Sequence, residues 1–312
     1  MKSNLSKIKY GLIEKEINIK FINDLYIIFL KLWINLNCLF FNKPKIKNIY
    51  LNLNKIKILL DPKNGFIDRF IYAKKNWDET NTEIIKKNLK KKQCFIDVGS
   101  NIGYFSLIAS NIVGKNGKVI SIEPIKKLYL QNQINKEINS FNNIKIYNLG
   151  CSNKNEEKNI YKREDYLASS STNKSYLSNY SFFKYSFFKK IFEKKKIKFK
   201  SEKIKLIKLD NIINHKVNFI KIDVEGHEYY SLLGMKKILK KYSPKLIIEI
   251  NQYALRKDSI KKIFSYLKKL NYEIYFNYNL KKEINFKDIE KIIKAEVVDI
   301  FCINKKPKMG NN

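Results

Sequence analysis

Two short strings concentrate the groups able to do chemistry in this chain. The first is Asp97-Val-Gly99-Ser100-Asn101-Ile-Gly103-Tyr104-Phe105, and the second is Lys221-Ile-Asp223-Val-Glu225-Gly226-His227-Glu228. In the first, the two glycines let the backbone turn sharply and approach a ligand closely, and a helix beginning behind them presents free N–H groups. The D-x-G-x-x-x-G spacing is not the G-x-G-x-x-G with which dinucleotide folds cradle a pyrophosphate. A carboxylate at Asp97 suits a cationic ligand better than a phosphate. S-adenosylmethionine, with a sulphonium, an α-ammonium and no phosphate, meets that description.

A third signal follows in Ser121-Ile-Glu123-Pro124, where Glu123 stands twenty residues after Gly103. An acid at that distance, at the end of a strand, is placed to accept hydrogen bonds from a ribose diol, a feature shared by NAD and S-adenosylmethionine sites. Asn148-Leu-Gly150-Cys151-Ser152 then borders the expected adenine position, a weak signal taken alone. In the second string, three carboxylates and a histidine within six residues cannot all be buried and unpaired. Asp223 and Glu225, two apart in an extended chain, should point the same way. Packed acids favour proton uptake, so either is a candidate general base, and together they are a candidate divalent-metal pair. His227 is a second candidate base. Glu228 reads as a first-turn acid complementing a helix dipole.

The elements that must position these groups are also legible. Strand-length apolar runs at Cys94–Val98, Lys118–Ile122, Ile144–Leu149, Val217–Ile222, Leu246–Ile250, Tyr272–Phe276 and Val297–Ile303 alternate with helical stretches. The helices are expected at 102–113, 126–138, 227–241 and 259–270. Thr80 and Glu83 have capping-box spacing, which predicts a further helix from Asn81 to about Lys91. Strand, helix, strand with short connections means a doubly wound, mostly parallel α/β sheet whose ligands sit beyond the carboxyl ends of the strands. The organisation expected is an N-terminal appendage over 1–75, a catalytic domain over 76–305 interrupted by an insert at 152–203, and a tail at 306–312. The insert carries SFFKYSFFKKIFEKKKIKFK, whose aromatics and lysines suit stacking on bases or sugar faces and equally suit an amphipathic helix or hairpin closing over the domain.

With 44% apolar and 13% aromatic residues the chain is neither disordered nor collagen-like, and four cysteines without CxxC spacing read as reduced, buried thiols. Its net charge of +34 comes almost wholly from lysine, since only Arg69, Arg163 and Arg256 are arginine. Dedicated nucleic-acid readers rely on arginine, so the charge favours acidic partners in general and specifies none. The stretch from Phe21 to Phe41 is apolar but interrupted by Asp24 and Lys31, too short a run to span a bilayer. It reads as an amphipathic helix packed on its own domain or a partner subunit, with an interfacial membrane helix as the sharper alternative. Glu14 and Glu16 break any secretory pattern, so the expected location is cytoplasmic, with peripheral contact at the inner face of the cytoplasmic membrane as the extension of that reading.

The strings FIDVGSNIGYFSLIA, VISIEP and IKIDVEGHEYYSLLGMKKIL, followed by SPKLIIEI, resemble the FkbM family of S-adenosylmethionine-dependent methyltransferases, in order, over roughly residues 77–305. The resemblance implies a class I methyltransferase (Rossmann-like) fold and methyl transfer to a hydroxyl oxygen, often of a sugar in a surface polysaccharide, a glycolipid or a related metabolite. Carried over by motif, Asp97, Gly99, Asn101 and Gly103 would line the methionine part; Ser100, standing where the family more often has Ala, and Tyr104 are further cofactor-binding candidates. Glu123 would meet the ribose and Asp223, Glu225 and Gly226 would face the transferring methyl; Pro124, Asn148 and Cys151 complete the cofactor-binding candidates. The family varies at position 227, which weakens a catalytic role for His227. The competing readings are a nucleic-acid (RNA) methyltransferase, an NAD-dependent sugar oxidoreductase and a non-catalytic basic membrane adaptor. The first lacks an Asn/Asp-Pro-Pro-aromatic string, the second lacks the three-glycine turn, and the third leaves the carboxylate cluster without a purpose.

Overall fold

In a computed structural model the described residues are 29–305 except 31, 35, 41, 52–53, 164–165, 173–198, 286–287 and 295–296. They form two compact units, one drawn from 1–79 with 159–202, the other from 80–158 with 203–312.

The second unit holds an eight-stranded sheet. Its strands are β3 (Cys94–Val98), β4 (Lys118–Ile122), β5 (Ile144–Tyr147), β10 (Phe219–Ile222), β11 (Lys245–Asn251), β12 (Tyr272–Phe276), β13 (Asn279–Glu283) and β14 (Val297–Asn304), in the spatial order β13-β12-β14-β11-β10-β3-β4-β5. β5, β4, β3, β10 and β11 run parallel, and β14 inserts antiparallel between β11 and β12. Counting only the alternating strands from β3 onward, this is a 3-2-1-4-5-7-6 sheet with a reversed seventh strand, extended by β13. That is the doubly wound sheet the alternating runs predict and the class I methyltransferase arrangement the resemblance implies. Its order reverses between β3 and β10, and at such a switch point the loops diverge and leave a crevice.

The central strands read as continuous apolar runs because both faces are covered, and all of Phe95, Ile96, Val98, Phe219, Ile220 and Ile222 are buried. Helices α3 (Tyr104–Val113), α4 (Lys126–Glu137) and α7 (Lys257–Lys269) follow the strands much as expected. Three local expectations need correction. The helix expected over 227–241 is two, α5 (Glu228–Gly234) and α6 (Lys236–Tyr242), broken at Met235. Close packing accompanies the break: a Cβ on Gly234 would lie 2.0 Å from the Ser152 carbonyl. The helix expected from Asn81 is α2 (Glu79–Asn88), which puts Thr80 inside the first turn instead of at the cap. The third strand stops at Tyr147, and Gly150–Cys151 forms a separate short strand, β6.

The first unit contains the hairpin β1 (Lys45–Leu51) and β2 (Asn54–Leu60), antiparallel with Lys45 opposite Leu60, and helix α1 (Phe66–Lys74). Between them Asp61 accepts from the Lys63 N–H at 2.9 Å and Asp68 accepts from the Asp61 N–H at 2.7 Å, tying the turn at Pro62 to the helix. Phe66, Phe70 and Trp77 pack edge-on or tilted beside it. The insert begins as strands β7 (Glu156–Arg163) and β8 (Tyr166–Ser171), paired antiparallel with Tyr161 opposite Ser171, and ends in β9 (Phe199–Ile207). Most of the aromatic-lysine tract, most of the expected 21–41 helix and the 306–312 tail lie outside the described residues. The four cysteines are free and buried.

Candidate active site

Four strand ends meet at the crevice. β3 ends on Asp97 and Val98, after which the chain turns through Gly99 (φ +80°) and Gly103 (φ +87°) into α3. Both glycines are required there. A Cβ on Gly99 would stand 1.8 Å from the Asp223 carbonyl oxygen, and one on Gly103 2.2 Å from Asn132 Oδ1. The N–H groups of Gly99 and Ser100 both donate to the Ile122 carbonyl at 3.0 Å, which locks the turn to the end of β4. Ser100 and Ser121 hydroxyls accept from the Asn132 amide at 3.1 and 2.8 Å, so Ser100 supports the loop from behind. Tyr104, at the start of α3, is buried edge-on to Phe105.

Asp97 is fully buried. Its Oδ2 accepts the Ser106 hydroxyl at 2.7 Å, while Oδ1 is buried with no partner. Burial pushes its carboxyl up, and the Lys221 ammonium on the neighbouring strand, in register with it, pulls it back. Glu123 is likewise buried and takes the Asn101 N–H on Oε2 and the Ile125 N–H on Oε1, both at 2.8 Å. Burial, against those two N–H groups, raises its carboxyl to about 7. Asn148 donates to the carbonyls of Glu123 (3.0 Å) and Pro124 (2.8 Å), so its amide holds the loop after β4. Cys151 faces away from solvent, its thiol 3.5 Å from the Ser231 carbonyl, and burial pushes the thiol up to about 12. Its side chain packs against α5, so only its backbone is available to border an adenine.

The loop after β10 differs. Asp223 is partly exposed and accepts from Lys221 Nζ at 2.9 Å, while Lys221 itself is buried with its ammonium 4.8 Å from the Phe105 ring centre. Glu225 sits in the left-handed region (φ 49°) and accepts from the Asn251 amide at 3.2 Å. With Glu249 of β11 these acids form a group in which one oxygen from each lies within 4.8 Å of the others. The structure therefore brings Asp223 and Glu225 together and adds Glu249, which the sequence reading quoted in SPKLIIEI without a role. Lys221 and Asn251 are further members that reading missed.

His227 Nε2 lies 3.0 Å from Ser152 Oγ, and the ring packs against Tyr230. Burial and nearby Lys158 bring the imidazole down to about 4 despite Glu156, so it is neutral at pH 7 and a weak proton acceptor. Glu228 is at the first turn of α5 as expected, but it is buried, and its Oε1 accepts from the N–H groups of Gly226 (3.0 Å) and Val224 (3.3 Å). It braces the loop that carries Asp223 and Glu225. Burial raises its carboxyl to about 7.

The residues after β3 and β4 fit S-adenosylmethionine on their donor chemistry. Asp97 Oδ1 is an orphaned buried acceptor in want of an N–H donor, and Glu123 keeps lone pairs on both oxygens beyond those its backbone partners use. The turn supplies backbone and no phosphate cradle. The model of the methyltransferase FkbM domain matches residues 97–274. The chain belongs to the FkbM methyltransferase family. S-adenosylmethionine is accordingly the cofactor of this FkbM domain and methyl transfer its chemistry. No curated protein sequence matches the chain. Among solved structures it is similar to an FkbM methyltransferase from Methylobacillus flagellatus, at 16% identity and TM-score 0.41, covering 75% of this chain and 52% of that one. The chain thus spans about half the length of that protein. A putative methyltransferase from Streptococcus mutans, in complex with SAH, is 11% identical with TM-score 0.41, covering 72% of this chain and 95% of that one. A SAM-dependent O-methyltransferase from Thermotoga maritima is 12% identical with TM-score 0.38, covering 86% and 81%.

Proposed function

We propose that this FkbM domain methylates a hydroxyl oxygen of a sugar, in a surface polysaccharide, a glycolipid or a related metabolite. The observation that carries the reading is the Asp223–Glu225–Glu249 group beside the cofactor turn. Three carboxylates repel a phosphate backbone, which argues against a nucleic-acid acceptor, while they accept hydrogen bonds from a neutral polyol. When bound, S-adenosylmethionine supplies an already activated methyl group. Asp97 would hold its ammonium and Glu123 its ribose diol. What remains for the chain is to orient the acceptor oxygen in line with the carbon–sulphur bond, a task worth up to about 7–11 kcal/mol when fully used. The proton of the acceptor hydroxyl passes to a carboxylate of this cluster. Asp223 and Glu225 belong to that cluster, whereas the His227 ring lies against Ser152 and Tyr230.

The same three oxygens also suit a divalent cation that would polarise the hydroxyl, and their spacing is the reason to keep that second reading. One assay separates these readings: transfer of labelled methyl to a panel of free glycans, lipid-linked sugars and RNA, with and without chelator. Labelled sugar, insensitive to chelation, supports a carboxylate base. Loss with chelator assigns the cluster to a metal. Labelled RNA and unlabelled sugar would contradict the acceptor class.

A further inference from the structure

We infer that the exposed apolar face at residues 29–40 is a docking surface for an anionic lipid bilayer. The described residues between 29 and 37 are helical. Ile34 and Cys38, one turn apart, are buried, and the Cys38 thiol lies 3.5 Å from the Arg69 carbonyl. That stripe satisfies the unit's own packing. The remaining apolar side chains point elsewhere: Phe29, Leu36, Leu39 and Phe40 are 67%, 65%, 67% and 82% exposed, with Leu32 and Trp33 also open to solvent. Scattered exposed leucines are ordinary, but six large apolar side chains on one short segment are not. A helix with a second apolar face, apart from the stripe its own unit covers, needs an apolar medium on that face.

Charge decides which medium. Lys74 Nζ lies 4.5 Å over the Trp33 ring, and Lys45 Nζ donates to the Phe40 carbonyl at 3.1 Å, so ammonium groups rim the apolar face at both places. Lys47 joins Lys45 around the Tyr72 ring, and Lys43 is exposed. Among the described residues none of Lys43, Lys45, Lys47 and Lys74 is ion-paired with a carboxylate. The sequence has no Asp or Glu between 25 and 60. A second copy docked through a two-fold axis would bring this lysine rim against itself. Anionic headgroups neutralise it, each lysine multiplying the partition coefficient about fivefold, while the aromatic and leucine side chains enter the headgroup boundary. Among the described residues no helix is long and apolar enough to cross a membrane. The inference is independent of the acceptor assigned above.

The test is co-sedimentation of the full chain with vesicles of phosphatidylcholine alone and of phosphatidylcholine mixed with phosphatidylglycerol. The mixed vesicles should capture the protein, and added salt should release it. Leu36→Asp with Phe40→Asp, and separately Lys45→Glu with Lys74→Glu, should each weaken capture by roughly tenfold or more. If the aspartate pair fails to fold, judged by thermal unfolding, the glutamate pair decides alone. No capture by mixed vesicles, or equal capture by phosphatidylcholine alone, overturns the inference. So does a wild-type dimer in light scattering that the aspartate pair converts to monomer, since the face would then belong to a second copy.

Discussion

The two sides of the crevice use carboxylates in opposite ways. On the cofactor side Asp97, Glu123 and, beneath the next loop, Glu228 are all buried, and each takes its hydrogen bonds from Ser106 or from backbone N–H groups. They shape loops before any ligand arrives. On the side proposed for the acceptor Asp223, Glu225 and Glu249 are only half-buried, and they crowd one another. Burial without water demands internal partners, and partners fix geometry; partial exposure leaves a carboxylate open to approach by a hydroxyl or a cation. On the proposed function, the same residue type is scaffold on one side and reagent on the other.

The comparison breaks most severely at Gly99, where the two sides touch. Gly99→Ala would put a methyl group against the Asp223 carbonyl at a positive φ, so we expect a stability loss of roughly 3 kcal/mol or more, together with loss of cofactor binding, read by thermal unfolding and calorimetry. Next in size, Asp223→Asn should lower kcat by ~10²–10⁴ in the methyl-transfer assay while leaving cofactor affinity nearly unchanged. A smaller effect tests the scaffold acids. Glu123 stands near 7 in the folded protein, and ribose hydroxyls donating to it favour the ionised form. Binding therefore expels a proton, and affinity should rise as pH increases through 7, levelling above it; Glu123→Gln should flatten that slope. The stability sign is the reverse. The folded protein holds the Glu123 and Glu228 protons more tightly than the unfolded chain, so their contribution falls as pH rises from about 4.5 to about 7 and is constant beyond.

Much of this was legible in the sequence. Cys94–Val98 and Lys118–Ile122 are strands at the bounds their apolar runs suggest, because central strands of a parallel sheet must be apolar on both faces. Tyr272–Phe276, paired antiparallel next to the sheet edge, keeps its bounds through alternating burial at Tyr272 and Ile274. Gly99 and Gly103 were readable because no other residue meets both the positive φ and the close approach. What escaped was long-range. Glu249 follows Glu225 by a helix pair and most of a strand, and only the parallel pairing of β10 with β11 brings the two together. Lys221 looks like a surface residue on a short strand, yet the strand is central and its ammonium is neutralised by Asp97 and Asp223. The insert hid β7 and β9 because EEKNIYKR and FKSEKIKLI are polar at most positions, and β-pairing places no demand on them beyond one covered face. Thr80 matched a capping box by spacing, but the helix begins one residue earlier, at Glu79.

The most direct test of the division between scaffold and reagent is calorimetry of S-adenosylmethionine binding to the wild-type protein, Asp97→Asn and Glu249→Gln. The account predicts that Asp97→Asn weakens binding about 10–100-fold, the loss of a charged hydrogen bond, while Glu249→Gln leaves it within twofold or so. Equal weakening by both substitutions would contradict it, because the acceptor-side carboxylates would then be holding the cofactor as well.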